Sequence, residues 1–172
     1  MAGRQGKQKV RDMLLSLGVI ALVAGVMYVF IPHDDSKDPV KRVDYSVELL
    51  TARRAAPYPV AAPEGLPAEW KATSVRFQGE KGNAWHLGFQ DPTGQYVAIE
   101  QSTQEPAPFI SGASQGARRT TATQRIGDRT WQRYEGGHYD ALVHRDKGST
   151  TVVTGTASFA ELARMAQALK AS

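Results

Sequence analysis

From Met13 to Ile31 the chain reads MLLSLGVIALVAGVMYVFI, nineteen residues without one charged side chain. At a helical rise of about 1.5 Å per residue this run is roughly 28 Å long, close to the ~30 Å hydrocarbon thickness of a bilayer. Ser16, Gly18, Gly25 and Tyr28 are its only polar or flexible interruptions. A spanning helix tolerates them because its backbone groups are satisfied internally. The pattern predicts a transmembrane helix over 13–31. A cleaved leader has a shorter apolar core, about 7–15 residues, followed by a small-x-small site. Here bulky Tyr28, Phe30 and Ile31 close the run, and Val23-Ala24-Gly25 is a weak internal site, so the reading is a retained anchor.

The pattern changes beyond the anchor. "PHDDSKDPVKR", residues 32–42, has nothing apolar to bury and reads as a polar tether. In "VDYSVELLTARRAA", Val43, Val47 and Leu50 recur at helical spacing with Asp44 placed to cap, which predicts a short helix. Pro57, Pro59, Pro63 and Pro67 then fix φ and remove backbone donors, leading the chain across a surface in extended form. Seven short runs follow with period-two or apolar character: 73–77, 85–89, 96–101, 121–126, 130–134, 139–144 and 150–154. Turn chemistry such as "DPTG" and "EGG" separates them, and connections this short require antiparallel neighbours. Finally "SFAELARMAQAL" sets Ser158 and Glu161 as a capping box ahead of an apolar stripe of Phe159, Leu162, Ala163, Ala166 and Leu169. The expected architecture is α+β: a transmembrane helix, then an antiparallel β-sheet packed with two helices over 43–172.

Charge settles the orientation expected of the anchor. Arg4, Lys7, Lys9 and Arg11 precede the span, and His33, Asp34, Asp35 and Asp38 follow it. The positive-inside rule puts residues 1–12 in the cytoplasm as a basic tail, and the C-terminal domain outside. That tail, with Asp12, supplies +3 of the formal +4 net charge, leaving 17 of the 21 Lys and Arg and 16 of the 17 Asp and Glu beyond the span. The outer domain is nearly neutral, so the basic balance is a topology signal and nucleic acid is not an expected partner. With no cysteine, disulfides, thiolate catalysis and lipid attachment at a cysteine are all excluded.

"SLGVIALVAG" behind a basic start, the Pro-rich "YPVAAPEGLPAEW" followed by a strand, "WHLGF", "YVAIEQS", "TWQRYEGG" and "TVVTGTASFAELARMAQAL" together resemble the actinobacterial single-pass membrane proteins of domain of unknown function family 4245. The resemblance runs across nearly the whole chain. It implies a plasma-membrane protein with one extracytoplasmic domain, and brings no established activity. The order of helix, strands and terminal helix is also similar in topology to small domains of the PsbP type.

Four groups of residues offer chemistry. "GASQG", Gly112 to Gly116, fits the G-x-S-x-G nucleophile elbow at Ser114, but "EPAPFIS" before it and "ARRTTAT" after it lack the strand and helix an elbow needs. His138, Asp140 and His144 of "HYDALVH" would share one strand face, yet the two histidines lie six residues apart, roughly 20 Å, too far for one metal ion unless His86 joins either of them. Trp70, Trp85, Trp131, Tyr134 and Tyr139 stand at or beside strands and could line a groove, although aromatic side chains in a small domain more often form core. Arg118 and Arg119 read as a solvated loop. The expectation is a binding or interaction module of the cell envelope without catalysis or cofactor, meeting an envelope protein, lipid or wall component. The rivals are a hydrolase using Ser114 and a membrane assembly factor with no ligand of its own.

Overall fold

A computed structural model describes residues 4–30 and 40–171, with side chains over 13–28 and 40–171. The chain divides into two units, 1–39 and 40–172. The first contains helix α1 (Arg4–Phe30), whose described side chains, Met13 to Tyr28, are exposed throughout. Among the described residues no helix is long and apolar enough to cross a membrane. The side chains of the basic tail, Ile31 and the tether from Pro32 to Pro39 lie outside the described residues.

The second unit is α+β. Helix α2 (Ser46–Ala55) and a short strand β1 (Ala61–Pro63) lead into β2 (Lys71–Gln78), β3 (Ala84–Gln90) and β4 (Tyr96–Ser102). Helix α3 (Pro106–Ala113) follows, then β5 (Arg118–Ile126), β6 (Arg129–Glu135), β7 (Asp140–Asp146) and β8 (Ser149–Gly155). Helix α4 (Phe159–Ala168) and β9 (Leu169–Ala171) close the chain. The seven runs expected as strands are β2 to β8. They form one antiparallel sheet in the order β2-β3-β4-β8-β7-β6-β5, so the two meanders meet where β4 pairs β8.

Strand alternation sends two sets of side chains to opposite faces. Trp85, Leu87, Phe89, Val97, Ile99, Trp131, Leu142 and Val153 point to one face and form the main core with Leu162 and Met165 of α4 and Ala52 of α2. The Pro-rich segment belongs to this core: Tyr58, Val60, Ala61 and Ala62 are buried, and β1 pairs β9. It is held there by Gln101, whose Oε1 accepts from the Ala61 N–H at 2.6 Å while Nε2 donates to Thr151 Oγ1 at 3.0 Å.

Three differences from the sequence reading have local causes. The sheet carries three helices, not two. The third, α3, lies on the opposite face, where Ile110 packs with Ala141, Val143 and Val152. Its two prolines fall in the first turn, where the backbone N–H groups have no intrahelical partner to lose. Second, α2 forms as expected, and Asp44 Oδ1 accepts from the Ser46 N–H at 2.9 Å, which holds its carboxyl below the usual range. Yet Val47 and Leu50 face outward, and Leu49 and Ala52 pack on the core instead. Third, Arg118 and Arg119 are not in a loop: they open β5, exposed, with Arg119 donating to Gln132 Oε1 at 3.2 Å.

Candidate functional site

The sheet face under α3 is divided into an apolar half and a polar half. Cross-strand register lays down two adjacent rows of side chains: Arg76, His86, Glu100, Val152, Val143, Gln132, and beside it Ser74, Gly88, Ala98, Thr154, Ala141, Tyr134. On β8 and β7 Val152, Val143 and Ala141 make an apolar patch that α3 covers, with Thr154 beside it. On β2, β3 and β4 Arg76, Ser74, His86 and Glu100 make a polar one around the small Gly88 and Ala98.

There a hydroxyl, an imidazole and a carboxylate stand in series. Ser74 Oγ lies 2.8 Å from His86 Nε2, and His86 Nδ1 lies 2.6 Å from Glu100 Oε1. The His86 and Glu100 side chains are 16% and 20% exposed, sheltered but reachable from solvent. Gly88 makes the approach possible, since a Cβ there would stand 2.4 Å from Ser74 Oγ and 3.2 Å from the Tyr96 ring. Tyr96 packs against Tyr139 with ring centroids 5.6 Å apart, and Tyr139 against His138 at 4.7 Å. Burial pushes the Tyr96 phenol up to about 12, with Glu100 and Tyr139 adding to the shift and Arg76 opposing it. The cluster can bind a polar group, and its imidazole is placed to take the Ser74 proton while the carboxylate orients the ring. His86 stood out in the sequence only as a spare metal ligand, while Ser74 and Glu100 carried no signal. The three sit on different strands, and only register joins them.

Ser114 has a different setting. It is fully buried at the C-terminal end of α3, with Oγ donating to the Ile110 carbonyl at 2.7 Å and accepting from the Ala117 N–H at 3.2 Å. A helix precedes it and β5 follows, the reverse of the strand-to-helix order of an elbow. His138 lies before β7 and stacks on Tyr139, so it does not share a strand face with His144. The His144 ring packs on Trp131, with Nδ1 3.0 Å from the Thr130 carbonyl and Nε2 3.1 Å from Asp146 Oδ1. Asp140 opens β7, and its carbonyl accepts from Thr154 Oγ1. Among the described residues no group of three His, Asp or Glu side chains is placed to hold a metal ion.

The five aromatic candidates do not line one groove. Trp70, Trp85 and Trp131 are 3%, 0% and 1% exposed and belong to the core. Trp85 Nε1 donates to the Ala61 carbonyl at 3.0 Å. Trp70, whose buried Nε1 has no partner, also borders a cleft of about 220 Å³ with Tyr45, Leu66 and Phe89. Tyr134 edges an open concavity of about 860 Å³ with Arg119, Arg129 and Arg145, and Tyr139 belongs to the Tyr96 cluster.

Residues 5–169 match the family described as a protein of unknown function (DUF4245), and the chain belongs to that family. No curated protein matches it.

Proposed function

We propose that this member of a family of unknown function is a single-pass plasma-membrane protein, anchored through Met13 to Ile31, that presents residues 43–172 outside the cytoplasm as a binding module of the envelope. The observation that carries the reading is the uncharged run of nineteen residues with four basic side chains before it and three aspartates soon after. The polar half of the sheet face around His86 and Glu100 is the surface offered to an envelope protein, lipid or wall component. Protease added to intact protoplasts should remove the C-terminal domain and spare the N-terminal tail. A protected C-terminus overturns the orientation, and a mature N-terminus at Val26 overturns the anchor.

A second reading is a hydrolase, and one observation favours it at a different serine from the motif's. Ser114 is committed to helix termination, whereas Ser74, His86 and Glu100 have the hydrogen-bond order of an acyl-transfer relay. In that reaction Ser74 Oγ bonds to the carbonyl carbon of an ester, His86 takes its proton and passes it to the departing alcohol, and water releases the acid. A fluorophosphonate should then label the chain, and Ser74→Ala or His86→Gln should abolish labelling that Ser114→Ala leaves intact. A chain that stays unlabelled overturns this reading and leaves the binding module standing.

A further inference from the structure

Helix α2 carries the apolar residues that its own domain leaves outside. At 3.6 residues per turn successive side chains step by about 100°, so Tyr45, Leu49 and Ala52, which pack on the core, define one side of the helix. Val47, Leu50 and Arg54 fall opposite. Val47 is 69% and Leu50 53% exposed, the only large hydrophobic residues so exposed among the described residues of the 40–172 unit. An outward helix face is ordinarily polar. Within residues 41–54 Lys41, Arg42 and Arg54 are exposed and Arg53 partly so, against Asp44 and Glu48. Arg54 shares the outward face of the pair, whereas the Arg42 guanidinium donates to the Ala68 carbonyl. Asp44 is also engaged at the helix start, accepting from both the N–H and the Oγ of Ser46. Val47 lies sixteen residues beyond Ile31, so an extended chain reaches at most about 55 Å between them.

An apolar pair with Arg54 on the same face, in a segment where cations outnumber anions and on the first helix after the span, matches an anionic lipid surface. Apolar side chains immerse at the headgroup boundary, and arginine and lysine pair with the phosphates. We propose that α2 rests on the anionic lipid surface that the anchor crosses, with Val47 and Leu50 immersed, and so fixes how the domain stands on the membrane. This rests on the anchored reading above.

The chain has no cysteine, so a nitroxide can be placed singly on the full-length protein by Val47→Cys, Leu50→Cys or, as control, Asp128→Cys. In phosphatidylglycerol-containing vesicles the labels at 47 and 50 should be reached by oxygen in preference to a water-soluble nickel chelate, with the reverse at 128. Each basic residue near an anionic surface is worth about fivefold in partition, so Lys41→Glu/Arg54→Glu, or pure phosphatidylcholine, should return both labels to water. Labels at 47 and 50 as aqueous as at 128 overturn the proposal. So do labels shielded from oxygen and nickel alike, which report a protein partner or a second copy. A chain that does not float with the vesicles overturns the anchor and this proposal together, whereas floating with aqueous labels overturns this proposal alone.

Discussion

Helices α2 and α4 are both ten residues long and pack into the same core, yet they use their apolar residues in opposite ways. On α4 most of the expected stripe is on the buried side: Leu162 has no exposed surface and Ala166 is buried, joined by Met165, which the stripe left out, while Leu169 falls in β9 and the Arg133 guanidinium sits 4.4 Å above the half-buried Phe159 ring. Its start is capped by Ser158, whose Oγ accepts from the Glu161 N–H, and its end runs straight into β9 against β1. On α2 two of the best-spaced apolar residues face solvent. The difference shows that periodicity identifies a helix without saying which side is covered. Helix α4 crosses the broad face of β7 and β8, where its whole stripe finds partners, but α2 packs beside the edge strand β2, where only one narrow side does.

The two helices should differ most in what they contribute to stability. Leu162→Ala and Met165→Ala each remove a fully buried side chain, at a cost of about 2–5 kcal/mol apiece including the cavity left behind. The double variant should lose its cooperative thermal transition, given a total stability of about 5–15 kcal/mol. If it melts like the parent, α4 is not docked. A smaller loss should follow Gln101→Ala. This change orphans the buried Ala61 N–H and frees the β1 strand that holds the end of α4, costing about 1–3 kcal/mol. Urea titration should show a lower midpoint, and an unchanged one means that the apolar stripe alone secures the helix.

Alkaline pH probes the same attachment. Burial raises the Tyr58 phenol above its ordinary value, and its hydroxyl donates to the carbonyls of Asn83 and Gln101. A raised tyrosine pKa favours the folded state fully while the unfolded phenol is protonated, below about pH 10, and that stability is lost as pH climbs beyond it. The melting temperature should therefore fall above that pH, and less steeply in Tyr58→Phe. The smallest effect belongs to α2: Val47→Ala/Leu50→Ala should shift stability by no more than about 0.5 kcal/mol, since little surface is lost from the core. A fall like that of the α4 variant would show that the outward pair is covered within the domain.

Much of the fold was legible because it is written locally. Period-two or continuous apolar character marked the strands from β2 to β8, the Gly- and Asp-rich breaks marked the turns, and Ser158 with Glu161 marked the start of α4. Helix α3 was not legible, because Pro106, Pro108 and Gly112 argue against a helix until Ile110 finds its partners across β7 and β8. Strands β1 and β9, three residues each, have too little sequence to declare themselves and exist because each supplies the other's edge. The Ser114 motif was legible as a pattern and as one without its context, since a five-residue match also fits the end of a helix such as α3.

Short-range patterns are enough for the uncharged run with its flanking charges, the strand positions and the terminal helix. Each depends on side chains within a few residues of one another, where periodicity and capping act directly. Long-range packing sets the pairing of β4 with β8, the covering of one half-face by α3, the outward turn of Val47 and Leu50, and the meeting of Ser74, His86 and Glu100. The strand pairing, the covered half-face and the meeting of Ser74, His86 and Glu100 depend on register between strands distant in the chain, where a one-residue slip would turn those side chains to the other face. Which side of α2 is left outside depends on its packing beside the edge strand β2.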